Sequence, residues 1–484
     1  MNDLAKIRYD CLEREVPYDK EIIISFNDSE RLIINEIWIR QYLNSRFNNH
    51  KFRKSIYHSI STKKKYKGLI PPFWIEIIEN YDIKCNRFII RIKWIIRSII
   101  HLVYTLYKVI SASIKNTEEN NVRSFFWGLS QDNIPDNFIK QESIFSWAKS
   151  AITDLNDSQF YHDVPNCQND NPKFTETPYS KLTFKSVQNY LSATGFIFGL
   201  VKTAIKSRET LILLLSWEFT KAFIEHLEGH KKFKNHIFNN SNYLYRPIWS
   251  YVSEYKGVNI WFYFYSINNH EIDLKNQRIE KYLFNSWNLI TWSKIICWKD
   301  NLEHIKLYPN TTNAIVKVNS PPSMQPYTLE PEITENIFDI VIFDVQPYNY
   351  EEFMAFGLKN EYYTEKNCIK FLSDILEVID EMGLRVAFKR KRKESPKISK
   401  AYLEFIQTYK FNNILEIPPN TSAHELISKS RCTISIPFTS TYFISEFLNI
   451  PGCFYDPTGL VISENHIINN KTDLRKFIIN SIKK

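Results

Sequence analysis

From Asn336 to the C-terminus, short β-branched and aromatic runs alternate with segments of helical period. Residues 340–344 form an apolar run ending in Asp344, 385–388 and 414–417 read as strands, and 432–436 and 453–455 read as two more. Between them, 365–381, 397–409 and 440–449 carry apolar residues at helical spacing, and Ser422-Ala-His-Glu425 reads as a capping box opening a helix to Ser430. Short strands separated by helices predict a mostly parallel, doubly wound sheet. In such sheets ligands bind beyond the carboxyl ends of the strands.

At 484 residues the chain is too long for one hydrophobic core. Residues 121–330 mix strands and helices. The best strands are 124–127 and 258–265, a helix is predicted over 203–217, and the polar stretch 169–178 reads as a loop. Pro321, Pro322, Pro326 and Pro331 mark a linker. The expected division is a basic helical extension over 1–120 and two α/β domains over 121–330 and 331–484, for which the family resemblance given below implies acceptor binding and nucleotide-sugar binding in turn.

Residues 86–115 contain Arg87, Arg91, Lys93, Arg97, Lys108 and Lys115 and no acid. Phe88, Ile92, Ile95, Ile99, Leu102, Leu106 and Ile110 gather on one helical face, with Arg87, Arg91, Ser98, His101, Thr105 and Lys108 on another. Charge interrupts it too often for a bilayer span. Two readings stay open: a helix lying on an anionic membrane, or one packed on the next domain with its basic face in water.

Net charge is +9, which suits an anionic ligand or membrane without requiring nucleic acid. There is neither a P-loop nor a G-x-G-x-x-G fingerprint, so helix N-termini and basic side chains must hold any phosphate. Seven scattered cysteines and a charged N-terminus predict a cytoplasmic protein, with attachment to the inner membrane face as the peripheral alternative.

Candidate site residues follow the strands. Pro437 ends one strand, and Thr439, Ser440 and Thr441 then start a helix whose N-terminus suits a phosphate, though ordinary N-capping explains them as well. Lys389, Arg390 and Lys391 follow another strand and could reach phosphates, or line a solvated loop. Asp344 and Gln346 follow a third; Asp344 fits a ribose or sugar hydroxyl, or caps a turn. Asp456 opens a turn and is a weaker donor contact. Either Glu254 or His270 fits the role of the base that takes the acceptor's proton. His226, His230 and His236 do not make a zinc motif, because Leu227 stands where a zincin needs Glu. No RNA-binding signature occurs.

The run 434–441, Ile-Ser-Ile-Pro-Phe-Thr-Ser-Thr, followed by Phe454-Tyr-Asp-Pro-Thr-Gly459, resembles the bacterial polysaccharide-biosynthesis proteins named for their Pro-Phe-Thr-Ser motif. Residues 343–348, 360–363 and 388–391 are similar to that family too, as, more faintly, are 287–298 and 263–266. The resemblance is clear over 336–460 and fainter upstream to about 121. It implies a GT-B-like α/β glycosyltransferase: two Rossmann-like domains facing a cleft, the nucleotide held mainly by the second. It further implies a role in capsule or O-antigen assembly, with a nucleotide-sugar donor, a glycan or lipid-linked glycan acceptor, inverting transfer, and no metal or other cofactor. Related transferases that use CMP-sugars carry a His-Pro pair and a Ser/Thr pair; Ser440 and Thr441 match the second, and this chain has no His-Pro pair. The alternative is a non-catalytic, membrane-associated scaffold protein of the same pathway.

Overall fold

The computed structural model describes residues 21–25, 31–47, 50–114, 123–129, 144–152, 159–162, 174–176, 182–228, 233–239, 245–267, 274–275, 289–306, 314–318, 320–323, 337–349, 361–391, 393–408, 414–462 and 466–483, with a few isolated positions besides. Two parallel sheets organise them. The first comprises β1 (Arg123–Trp127), β2 (Gln159–His162), β3 (Phe174–Glu176), β4 (Asn235–Asn239), β5 (Asn259–Phe264), β6 (Lys294–Trp298) and β7 (Ala314–Val318). The second comprises β8 (Phe338–Phe343), β9 (Val386–Lys389), β10 (Ile414–Ile417), β11 (Ser430–Ser435), β12 (Gly452–Tyr455) and β13 (Ile467–Ile468).

In space the first sheet runs β3-β2-β1-β4-β5-β6-β7 and the second β10-β9-β8-β11-β12-β13. Every pairing in both is parallel. Each sheet therefore grows one way from its first strand, then restarts on the other side, which is the doubly wound order. The switch point lies between β1 and β4 in the first sheet and between β8 and β11 in the second. This is the arrangement of two Rossmann-like domains that the sequence resemblance implies.

The period-two pattern explains why both sheets bury both faces. In β8, Ile340 and Ile342 pack with Val386 and Phe388 on one face. Val341 and Phe343 pack with Ala387 on the other. In β5, Ile260, Phe262 and Phe264 join one core, while Trp261 and Tyr263 join the opposite one.

The labelled helices are α1 (Arg87–Ile110), α2 (Val187–Ser207), α3 (Ser216–Glu228), α4 (Ile248–Tyr255), α5 (Glu365–Ile379), α6 (Ala423–Ser428) and α7 (Ser440–Phe447). Three local expectations change. The helix predicted over 203–217 is broken: α2 ends at left-handed Arg208 (φ 57°), and a short helix over 210–214 leads into α3. The stretch read as a loop over 169–178 contains β3. Ser422 precedes α6 but its side chain makes no capping bond.

Described residues ahead of β1 pack into the core of the first domain. Trp38, Tyr42, Ile78, Ile90 and Trp94 belong to the same core as Phe125, Trp127 and Phe262. Helix α1 is amphipathic as expected, and of the apolar face read from the sequence only Leu102 and Leu106 pack inward, against α2. Its buried side chains are Ile90, Trp94, Ser98, Thr105 and Val109. The face carrying Phe88, Ile92, Ile95, Ile99 and Ile110 is exposed instead. Small polar side chains can line the inner stripe because they bond locally: Ser98 donates to the Trp94 carbonyl, and Thr105 to that of His101 and to or from Ser216.

Candidate functional site

The register of the second sheet lines up its carboxyl ends. Ile417, Lys389, Phe343 and Ser435 stand side by side, with Phe454 next to Ser435. Directly after Phe343, at the switch point, comes Asp344. It is buried, and neither carboxylate oxygen has a hydrogen-bond partner among the described residues. Burial pushes its pKa up from 3.8 to about 7, against the pull of the Arg390 charge, the Lys391 backbone N–H and the Lys389 charge. A buried carboxyl without a donor is costly unless something supplies one.

The basic residues differ among themselves. Lys389 is buried, donates to the Pro419 carbonyl at 3.1 Å, and is pushed down to about 8 by burial. Arg390 is paired with Glu394 at 2.8 Å and with Glu416. Lys391 is exposed. Gln346 is buried two residues beyond Asp344.

On the other side of the switch point, Thr439 N-caps α7 in position but not by its side chain. Its hydroxyl donates to the Ile436 carbonyl at 2.8 Å, leaving the first-turn amides of α7 without a side-chain cap. Phe438 (φ 63°) turns the chain sharply between strand and helix, and Tyr363 holds that turn by donating to the Pro437 carbonyl at 2.7 Å. Thr441 bonds Ser435 at 2.7 Å. Ser440 looks outward to the first domain: its hydroxyl accepts the Ile267 amide, just past β5, at 3.2 Å.

That bond is one of several tying the carboxyl ends of the two sheets together. Ile267 and Trp298, which follow and end β5 and β6, pack with Tyr442, Phe443 and Phe454. Further along, Leu274 bridges Val461, and the Lys275 amide donates to Leu460 at 2.8 Å. Ser323 and Ser422 share a hydroxyl bond at 3.1 Å.

Asp456 does not present a free carboxylate. It accepts from Tyr362, from the Thr458 amide and hydroxyl, and from the Val461 amide, so the turn it was expected to open occupies it fully. Glu254 stands, as expected, on the helix that precedes β5. It ends α4, which leads into the amino end of β5, and β5 separates it from the carboxyl edge by six residues, roughly 20 Å. There it is ion-paired at 2.5 Å with the buried Arg246, which also donates to Thr291 and Ser250 and stacks on Tyr251. Trp38 donates to the Arg246 carbonyl, so this cluster fastens the N-terminal helix 36–47 to the first domain. Glu254 is thus engaged in an ion pair at the amino end of β5. His270 lies outside the described residues, although Ile267 before it and Leu274 after it both touch the second domain.

Sequence reasoning missed Asp300. It follows β6 at the carboxyl edge, half-buried, with its pKa raised by burial and by the Glu446 charge on α7 against the pull of Lys299. Only its position after a strand end would have singled it out. His236 is a neutral core histidine: Trp127 donates to its Nδ1 at 3.1 Å, and burial with the Lys221 charge pushes it down to about 3. Among the described residues no cluster of His, Cys, Asp and Glu could hold a metal ion.

The family model for polysaccharide biosynthesis PFTS motif proteins matches residues 199–478, more than half of the chain. The chain belongs to that family. In this PFTS protein the motif residues Pro437–Ser440 form the turn into α7, between the switch point and the first domain. No curated protein matches the chain. Among solved structures it is similar to the wall teichoic acid polymerase TagF (11% identity, TM-score 0.38, covering 92% of this chain and 88% of that one). It is also similar to the spinosyn forosaminyltransferase SpnP (11%, 0.36, 75% and 91%) and to the trehalose-6-phosphate synthase OtsA (9%, 0.35, 74% and 91%). Superpositions this loose say nothing of substrate.

Proposed function

We propose that this PFTS-family protein is a glycosyltransferase that moves a sugar from a nucleotide-sugar donor to a glycan or lipid-linked glycan acceptor of a bacterial surface polysaccharide. One observation carries the reading. The buried, unpartnered Asp344 sits at the switch point of a doubly wound sheet, where such sheets bind nucleotides. A ribose or sugar hydroxyl would supply the donor that its oxygens lack. The uncapped first turn of α7 would take the phosphates through its backbone amides. Lys389 would add charge from the neighbouring strand end. Ser440, bonded to Ile267, would report donor binding to the first domain rather than hold phosphate alone.

For the base, the reading favours His270, because the described residues on either side of it, Ile267 and Leu274, both touch the second domain. Asp300 is the second choice, at the end of β6. Asp300→Asn and His270→Ala should each be compared for transfer and for donor binding; the base is the one whose loss stops transfer while the nucleotide still binds.

The reading is tested by thermal unfolding against CMP, UDP, GDP and dTDP. A nucleotide at ~100 times its Kd adds about 2.7 kcal/mol of apparent stability. One of the four should raise the midpoint. If none does at millimolar concentration, the donor site is absent and the non-catalytic scaffold reading takes its place.

A further inference from the structure

Two helices of the first domain present apolar faces to the outside. At about 100° per residue, the outward side of α1, opposite Trp94, carries Phe88, Ile92, Ile96, Ile99, Val103, Tyr107 and Ile110, each more than a third exposed. Beside it lies α2, sharing a small core in which Leu102, Leu106 and Val109 meet Ala193 and Ile197. Val187, Leu191, Phe198 and Ile205 of α2 are exposed by 58% or more. A methyl group added at Gly195 or Gly199 would meet nothing within 4 Å, so that face of α2 is open too. Soluble monomers seldom leave apolar groups of this extent in water, and a patch of this kind marks an interface.

Charge says what covers it. Neither α1 nor α2 contains an acidic residue. Arg91, Lys93 and Arg97 flank the outward stripe of α1, and Lys202 and Lys206 stand on the outward side of α2. Lys93 donates to the Lys67 carbonyl at 2.6 Å, which brings the exposed run Lys63, Lys64, Lys65 and Lys67 alongside α1. Arg91, Arg97, Lys64 and Lys65 make no ion pair among the described residues. An apolar stripe edged by unpaired cations fits a surface that is oily inside and anionic at its rim. No helix of the described residues is long and apolar enough to cross a membrane, so the contact is one of lying on the surface.

We propose that α1 and α2, with the adjoining lysine run, dock the protein on an anionic lipid bilayer, the apolar side chains entering the headgroup boundary and the cations meeting phosphates. The proposal stands apart from the donor site and does not depend on it.

The test is co-sedimentation of the full chain with phosphatidylcholine vesicles, with and without phosphatidylglycerol. The wild type should pellet with the anionic vesicles, weakly with neutral ones, and less as salt rises. Ile99→Glu with Val103→Glu should weaken partitioning at least about tenfold. Lys64→Gln with Lys65→Gln should weaken it about 25-fold, fivefold per charge. All four positions are exposed, so the unfolding midpoint should not fall, which separates lost docking from lost fold. Failure to pellet with anionic vesicles overturns the proposal, as does undiminished binding by either pair of variants. A concentration-dependent dimer that Ile99→Glu dissolves, without vesicle binding, would assign the face to a second copy of the chain instead.

Discussion

The second domain and helix α1 are both strongly patterned, yet they put their apolar residues in opposite places. In β8 every apolar side chain goes inward, and the two faces of the strand join two cores. In α1 the broad apolar face goes outward, and the stripe of Trp94, Ser98 and Thr105 goes in. A pattern fixes which residues share a face. It does not fix which face meets the protein. In the second domain helices cover the sheet on both sides, so the choice is forced. In α1 the local bonds of Ser98 and Thr105 let small polar side chains sit inside.

The largest expected effect would sharpen the contrast between a well-satisfied core and the site within it. Asp344 has a folded pKa near 7, above the 3.8 of an ordinary Asp. Between those values the folded chain binds more protons than the unfolded one, so stability falls as pH rises from about 4 to about 7 and levels off above. The span is up to about 4 kcal/mol. Lys389, shifted down to about 8, acts only above that window. Urea unfolding at pH 5 and pH 8 should show the fall, and Asp344→Asn should flatten it. A slope unchanged in the variant would mean that the carboxyl is satisfied after all.

Next in size is Glu254→Ala. Arg246 would keep its charge in the core without its carboxylate, at a cost of about 3 kcal/mol. Nucleotide-induced stabilisation should survive. If donor binding vanished while the fold persisted, Glu254 would belong to the site.

A pair of glycine substitutions compares the two regions directly. A Cβ on Gly452 would come within 2.1 Å of Ser445 Oγ, with Thr433 Oγ1 at 3.0 Å behind it. Gly452→Ala should cost about 1–3 kcal/mol by overpacking. Gly195→Ala, on the open face of α2, should instead add up to about 1 kcal/mol through helix propensity. Equal effects would mean that the α2 face is covered.

The smallest effect is Ser440→Ala, which removes the bond from Ile267 and should cost about 1 kcal/mol by unfolding assays.

Much of the second domain was legible because each strand announces itself. Buried parallel strands are continuous apolar runs, and Pro437 and the turn at Asp456 punctuate their ends. Boundaries drifted by one to three residues, and the short β13 carries no run long enough to notice. The positions of Asp344 and Thr439 at strand ends followed from order alone. What each side chain bonds did not. Asp456 and Ser440 find partners far along the chain, at Tyr362 and Ile267, and no spacing reveals a contact that depends on how loops meet. The ion pair of Glu254 with Arg246 spans eight residues, beyond the reach of a single-turn pairing rule. Asp300 carries no motif of its own, and only the strand end before it marks its place.

The central claim is that the switch point of the second sheet holds a nucleotide through Asp344. Calorimetric titration of the stabilising nucleotide into the wild type, Asp344→Asn and Glu254→Gln tests it most directly. Loss of a charge-assisted bond to a ligand hydroxyl should weaken binding about 10–100-fold in Asp344→Asn, with Glu254→Gln binding like the wild type. Unchanged affinity in Asp344→Asn would contradict the account and move the ligand away from the switch point.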